Sequence, residues 1–225
     1  MAEMITLADI QAARARVGDL VDTTPCDRSH MLSTLTGNKV YFKLENLQMT
    51  GSFKERGASN KLMSLTSEER SRGVICASAG NHAQAVAYHA TRLGIRSKVV
   101  MPLNAPLTKV QATTGYGGEV IQHGWTFDDA QAEAFRICDA EGLIYVHAFN
   151  DDAIIAGQGA IGLEILEQVP NVEAIVVPIG GGGLIGGIGC AVKSLKPDVR
   201  IVGVEAERVP SMKKAVEAHQ PVTVP

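Results

Sequence analysis

The chain has 225 residues, of which 45% are hydrophobic and 4% aromatic, and its apolar positions are mostly Val, Ile, Leu and Ala, a composition suited to layered α/β folds. A length in this range gives one large or two small domains with a substantial core. The net charge of −3 leaves no basic footprint for nucleic acid or an anionic membrane, so small-molecule chemistry is the expected class. Cys26, Cys76, Cys138 and Cys190 are widely spaced and form no CxxC pair, which points to reduced thiols rather than zinc or a disulfide framework. The start, Met1-Ala2-Glu3-Met4-Ile5-Thr6, does not read as a secretory signal, and no run approaches a membrane span, so a cytoplasmic protein is expected.

Taken in order, Thr6 to Val17 reads as a helix with Thr6 as N-cap, Asp9 close to a capping box and Gly18 as stop. After the turn signal Gly37-Asn38 comes a strand, Val40 to Glu45. A strand-then-helix rhythm follows. Helices are expected over Arg56 to Leu65, Asn81 to Leu93, Pro106 to Thr114, Thr126 to Glu141, Ala153 to Gln168, Leu184 to Leu195 and Pro210 to Ala218. Between them lie the strands Val74 to Ala77, Lys98 to Met101, Val120 to Gln122, Ile144 to His147, Ala174 to Pro178 and Ile201 to Val204. Such alternation over short loops specifies parallel sheet, helices on both faces and ligands beyond the carboxyl ends of the strands. His219 to Pro225 reads as the beginning of a strand with nothing after it, so the chain is expected to be a fragment.

Three segments carry chemistry. In Thr50-Gly51-Ser52-Phe53-Lys54-Glu55-Arg56-Gly57 a lysine sits between small residues where a strand gives way to a helix, the place for a Schiff-base amine facing a cleft. Alone, Lys54 reads as an ordinary solvated lysine, so its case rests on its companions. Ala77-Ser78-Ala79-Gly80-Asn81-His82 ends a strand and opens a helix, where free N–H groups and the positive end of the helix dipole take a carboxylate or phosphate. Ser78 or Asn81 could equally serve as a plain helix cap, and His82 is expected to pack or orient rather than exchange protons. Pro178-Ile179-Gly180-Gly181-Gly182-Gly183-Leu184 places four glycines between an apolar strand and a helix. In regular structure each glycine costs about 0.5–1 kcal/mol relative to Ala, so the run implies a need for bare backbone, as in a phosphate nest. A rival reading exists. Gly181, Gly183 and Gly186 satisfy G-x-G-x-x-G, and Glu205 ends the next strand, the pattern of an NAD(P)-dependent oxidoreductase.

Together these motifs make the chain resemble the fold type II pyridoxal-phosphate enzymes, within them the threonine dehydratase (threonine ammonia-lyase) and serine racemase group. Lys43 to Ala58 is similar to the cofactor-lysine motif, Ser78 to His82 to the substrate-carboxylate loop, and Gly180 to Leu184 to the phosphate cradle. The resemblance implies an α/β fold of the tryptophan synthase β-like type with two parallel-sheet, three-layer domains and a carboxyl-terminal part missing. It places residues 53–147 as a small domain inserted into a larger one made of residues 1–52 and 148–225.

The resemblance further implies that Lys54 is catalytic and carries pyridoxal 5'-phosphate as a Schiff base. Phe53 would pack near the ring, Asn81 bond its phenolic oxygen, and Gly180, Gly181, Gly182, Gly183 and Leu184 hold its phosphate. Ser78, Ala79, Gly80, Asn81 and His82 would bind the substrate. The implied activity is β-elimination of L-threonine to 2-oxobutanoate and ammonia, with serine as a second substrate and a racemase-like activity as the alternative. A truncated cofactor-binding fragment without turnover is a third reading. The expected partners are the amino-acid substrate and further copies of the chain in a homo-oligomer, with no nucleic acid or membrane. Some relatives hold a cation through a Glu and an Asp. Here Glu205 matches the first and Ser211 stands in place of the second, so Glu205 is only a weak metal candidate.

Overall fold

The computed structural model describes residues 5–220 and 222. In chain order its elements are α1 (Leu7–Val17), β1 (Cys26–Arg28), α2 (His30–Thr36), β2 (Tyr41–Lys43), α3 (Lys54–Ser64), α4 (Ser67–Arg72), β3 (Val74–Ala77), α5 (Asn81–Arg92) and β4 (Ser97–Met101). They continue with α6 (Leu107–Gly115), β5 (Glu119–Gln122), α7 (Phe127–Glu141), β6 (Ile144–Tyr145), α8 (Asp152–Gln168), β7 (Ala174–Pro178), α9 (Gly183–Leu195), β8 (Arg200–Val204) and α10 (Ser211–Ala218). The strand-like end expected from His219 onward falls largely outside the described residues; His219 itself takes a left-handed conformation that closes α10.

The central sheet has the order β5-β4-β3-β6, all parallel. Every residue of β3 is buried, and its pleat divides them between two cores. Val74 and Cys76 join Leu62, Val86, Val99 and Met101 on one side. Ile75 and Ala77 join Val100, Ala130, Ala134 and Ile137 on the other. Helices therefore cover both faces, as the near-continuous apolar run of β3 requires. The helices are delimited by ordinary caps. Thr6 with Asp9 and Thr126 with Asp129 form complete capping boxes at α1 and α7, and Gly142 closes α7 in the left-handed region.

One feature departs from the expected all-parallel layout, and another from the expected helices on both sheet faces. β1 pairs with β2 antiparallel, Cys26 opposite Lys43, because a short return through α2 reverses the chain without a crossover. β7 and β8 form a separate parallel pair. One face of that pair packs Ile175 and Val177 on Ile161, Ile165, Ile188 and Val192. Its other face leaves Val176, Val202 and Val204 exposed, so helices cover only one side of it among the described residues.

α8 lies against both α3 and α9 through backbone contacts that only glycine permits. A Cβ on Gly157 would stand 2.6 Å from the Arg56 carbonyl oxygen and 2.7 Å from the Gly57 Cα. One on Gly187 would strike the Ile155 carbonyl, whereas one on Gly189 would meet nothing within 4 Å. Gly157→Ala is expected to lower stability by about 1–3 kcal/mol, as overpacking does, while Gly189→Ala is neutral or stabilises by up to about 1 kcal/mol through helix propensity. Urea midpoints at unchanged slope check this, and equal effects at the two sites contradict it.

Candidate active site

Lys54 is the first residue of α3, two residues earlier than the sequence pattern places that helix. The loop before it turns at Gly51, whose φ is +76°. Two buried carboxylate clusters hold the lysine's neighbours. The Glu55 carboxylate accepts from the Thr50 N–H and pairs with His89 Nε2 at 3.2 Å, tying the loop to α5. The Arg56 guanidinium donates to Glu45 at 2.7 and 2.8 Å, to Glu164 at 2.6 and 2.9 Å, and to the Asp22 carbonyl at 3.1 Å. Lys43 adds a bond of 2.5 Å to the same Glu164. Burial opposes the charge on Arg56, and the two carboxylates more than offset it, so the guanidinium stays ionised above its ordinary range.

Between these anchors the Lys54 amine lies in a cavity of about 150 Å³ lined by Phe53, Ala148, Phe149, Ile154, Gln158 and the run Gly180 to Leu184. Its Nζ donates to the Ala148 carbonyl at 2.5 Å and stands 5.4 Å from the centre of the Phe53 ring. Burial disfavours the charged amine and pulls its pKa from 10.5 to about 8.

The glycine run forms the facing wall. Gly182 is the N-cap of α9 with φ +87°, and no side chain caps the helix. A Cβ on Gly181 would collide with the Phe149 ring, and one on Gly183 would lie 2.7 Å from the Phe149 carbonyl oxygen. Bare backbone is therefore required by packing, and it leaves first-turn N–H groups facing the cavity end of the helix. A readily deprotonated amine opposite an uncapped helix start suits an aldehyde that carries a phosphate, so the residues present fit pyridoxal phosphate.

Ser78 to His82 follow β3, and α5 starts at Asn81 with Gly80 as an N-cap lacking any side-chain bond. The Gly80 N–H donates to Ser78 Oγ at 3.2 Å. Ser78, Ala79, Gly80, Asn81 and His82 do not line the Lys54 cavity itself. His82 links the two regions: its Nε2 donates to the Val146 carbonyl at 3.0 Å, two residues before Ala148. Burial, reinforced by the Lys54 charge, drops the His82 pKa to about 3, so its ring is neutral. On α6, Lys109 Nζ donates to Asn81 Oδ1 at 3.1 Å. A lysine can only donate, so this bond leaves the Asn81 amide NH2 as the group on offer.

Glu205 is placed elsewhere. Its two carboxylate oxygens accept from the Met212 and Lys213 N–H groups, each at 2.8 Å, and so cap α10. No cluster of three potential metal ligands occurs among the described residues. The sequence pattern did not single out Ala148, Phe149, Ile154, Gln158 or Lys109. The first two follow a strand's carboxyl end, which is where ligand-binding loops of parallel sheets lie.

A depressed amine pKa sets the pH response of Lys54. Charged Lys54 destabilises the fold, an effect present in full below about pH 8 and gone above its unfolded value of 10.5, so stability rises with pH between them. Addition of a small aldehyde to Lys54 is expected to follow an apparent pKa near 8, read by mass spectrometry across pH. A rate still climbing at about pH 10, as for an exposed lysine, contradicts the burial argument.

Comparison with known proteins agrees with this geometry. The chain is 52% identical over 209 residues to an L-threonine ammonia-lyase of Thermotoga maritima, an alignment covering 93% of this chain and 52% of that protein. It superimposes on maize serine racemase with a TM-score of 0.96 at 37% identity, covering 99% of this chain and 68% of that one. On the processed threonine deaminase isoform 2 of Solanum lycopersicum the TM-score is 0.93 at 40% identity, covering 97% and 63%. The chain thus spans about half to two-thirds of the curated relatives it matches. Residues 17–225 match the family model described as pyridoxal-phosphate dependent enzyme, and the chain belongs to that family.

Proposed function

We propose that the chain forms the cofactor-lysine portion of an ammonia-lyase that eliminates the β-hydroxyl of L-threonine, and of serine, to give an oxo acid and ammonia. The observation that carries this reading is the desolvated Lys54 amine in one cavity with the Gly180 to Gly183 wall. Relatives named threonine ammonia-lyase and threonine dehydratase, 46–52% identical, support the reaction class. Bound pyridoxal phosphate would supply the electron sink that makes the amino acid's Cα–H acidic.

The protein's own residues do the rest. With its pKa lowered to about 8 the Lys54 amine gives up its proton far more readily than an exposed lysine, and its neutral form is able to accept the Cα proton. Gly180 to Gly183 and the start of α9 bind phosphate through N–H groups, while Phe53 packs beside the amine. Ser78 and the uncapped first turn of α5 grip the substrate carboxylate, and Asn81, held by Lys109, offers its NH2 to an anionic oxygen. The four-stranded sheet is built wholly from residues 74–145, which supports residues 53–147 as a small domain set into a larger one of residues 1–52 and 148–225. A homo-oligomer in a reducing, cytoplasmic setting accords with unpaired thiols and with exposed Met31, Leu35 and Phe42 near the β1–β2 pair.

The match to maize serine racemase supports a second reading, racemisation of serine at the same lysine. A nicotinamide site is disfavoured because Glu205 serves as the cap of α10, its two oxygens accepting from the Met212 and Lys213 N–H groups.

Borohydride reduction with pyridoxal phosphate, followed by peptide mapping, should place the adduct on Lys54 and on no other lysine. Threonine should then yield 2-oxobutanoate with the native chain and none with Lys54→Ala. An adduct elsewhere sinks the assignment, an adduct without oxo acid leaves a binding fragment, and D-serine from L-serine in place of pyruvate selects the racemase.

A further inference from the structure

Gln158 is unusual among the residues lining the Lys54 cavity. It lies on α8, which is otherwise apolar along this stretch, between two glycines in Ala156-Gly157-Gln158-Gly159-Ala160. Its side chain is 1% exposed. One end of its amide is engaged: Oε1 accepts from the Gly57 N–H at 3.2 Å. That bond fixes the orientation, since an N–H can only donate and the oxygen must face it. The other end, Nε2, is buried without any hydrogen-bond partner.

A buried amide donor left unpaired carries its full desolvation penalty, and native structures avoid such groups unless something outside the chain satisfies them. The fold nevertheless makes room for this one. A Cβ on Gly57 would stand 2.5 Å from Nε2, so the glycine three residues after Lys54 is the space the amide occupies. A staple between α8 and α3 explains Oε1 only.

We infer that Gln158 is a further ligand of the group that fills the Lys54 cavity, its Nε2–H donating to an acceptor oxygen of bound pyridoxal phosphate. The inference rests on the cofactor reading proposed above. It adds a side-chain donor, carried on α8, to a site otherwise made of backbone N–H groups and one amine. The acceptor is an oxygen of the phosphate or of the ring, and both present the lone pairs the amide lacks.

The test is a titration of the cofactor-stripped chain with pyridoxal phosphate, comparing the native protein with Gln158→Glu and Gln158→Met. The first keeps an acceptor for the Gly57 N–H and removes the donor; the second removes both. Each is expected to weaken the dissociation constant about tenfold, equivalent to about 1.4 kcal/mol, and to shrink the rise in melting temperature that the cofactor produces. Competition by inorganic phosphate then locates the acceptor. Inhibition that weakens in parallel assigns a phosphate oxygen, and inhibition that is unchanged assigns a ring oxygen. Cofactor affinity within twofold of native in both variants, with only the cofactor-free melting temperature lowered, overturns the inference and leaves Gln158 a structural staple. Failure of the native chain to bind pyridoxal phosphate overturns the cofactor reading itself, and this inference with it.

Discussion

The arrangement depends first on the buried guanidinium of Arg56. It draws Glu45, just after β2, and Glu164, on α8, onto the first turn of α3, and Lys43 joins them through Glu164. Removing one partner from such a cluster strands a buried charge and costs about 3–5 kcal/mol. Two residues along a helix is about 200° of rotation, so the turn that presses Arg56 into the cluster aims Lys54 the opposite way. The ion pairs thus orient the lysine without touching it.

What the lysine meets there is electrically matched. Desolvation favours its neutral form, which is the form that attacks a carbonyl. The wall across the cavity offers N–H groups rather than cations, so it attracts an anion without raising the positive charge beside the amine. A basic side chain in place of the glycine nest would bind phosphate too, and would pull the lysine pKa down further by repulsion. Packing leaves no room for such a side chain at Gly181, which faces the Phe149 ring.

Much of this is legible in the residues. Four glycines between an apolar strand and a helix, and Ser-Ala-Gly-Asn-His at the end of a buried strand, announce anion sites because those conformations need bare backbone and free N–H groups. Other features leave no such trace. The N-cap of α3 is Phe53, whose side chain cannot cap, so nothing in the sequence marks its first turn. β1 and β2 have three residues each, too few to show a period, and their antiparallel pairing is set by the fold around them. Gln158 reads as one polar residue in an apolar helix, and only the packing of Gly57 against it shows that its amide is enclosed. The exposed Val176, Val202 and Val204 face of β7 and β8 is equally silent, since a strand buried on one side and one buried on both look alike over five residues.

The central claim is that the desolvated Lys54 amine and the glycine nest form one site. Backbone amide NMR of the chain titrated with pyridoxal phosphate tests this most directly. The largest shifts are expected at Phe53 and Lys54, at Ala148 and Phe149, and along Gly180 to Leu184, moving together with one dissociation constant. Shifts confined to a separate cavity of about 220 Å³ between α1 and α8, lined by Arg14, Asp19, Thr23 and Glu164, or two groups of shifts with separate constants, would contradict it.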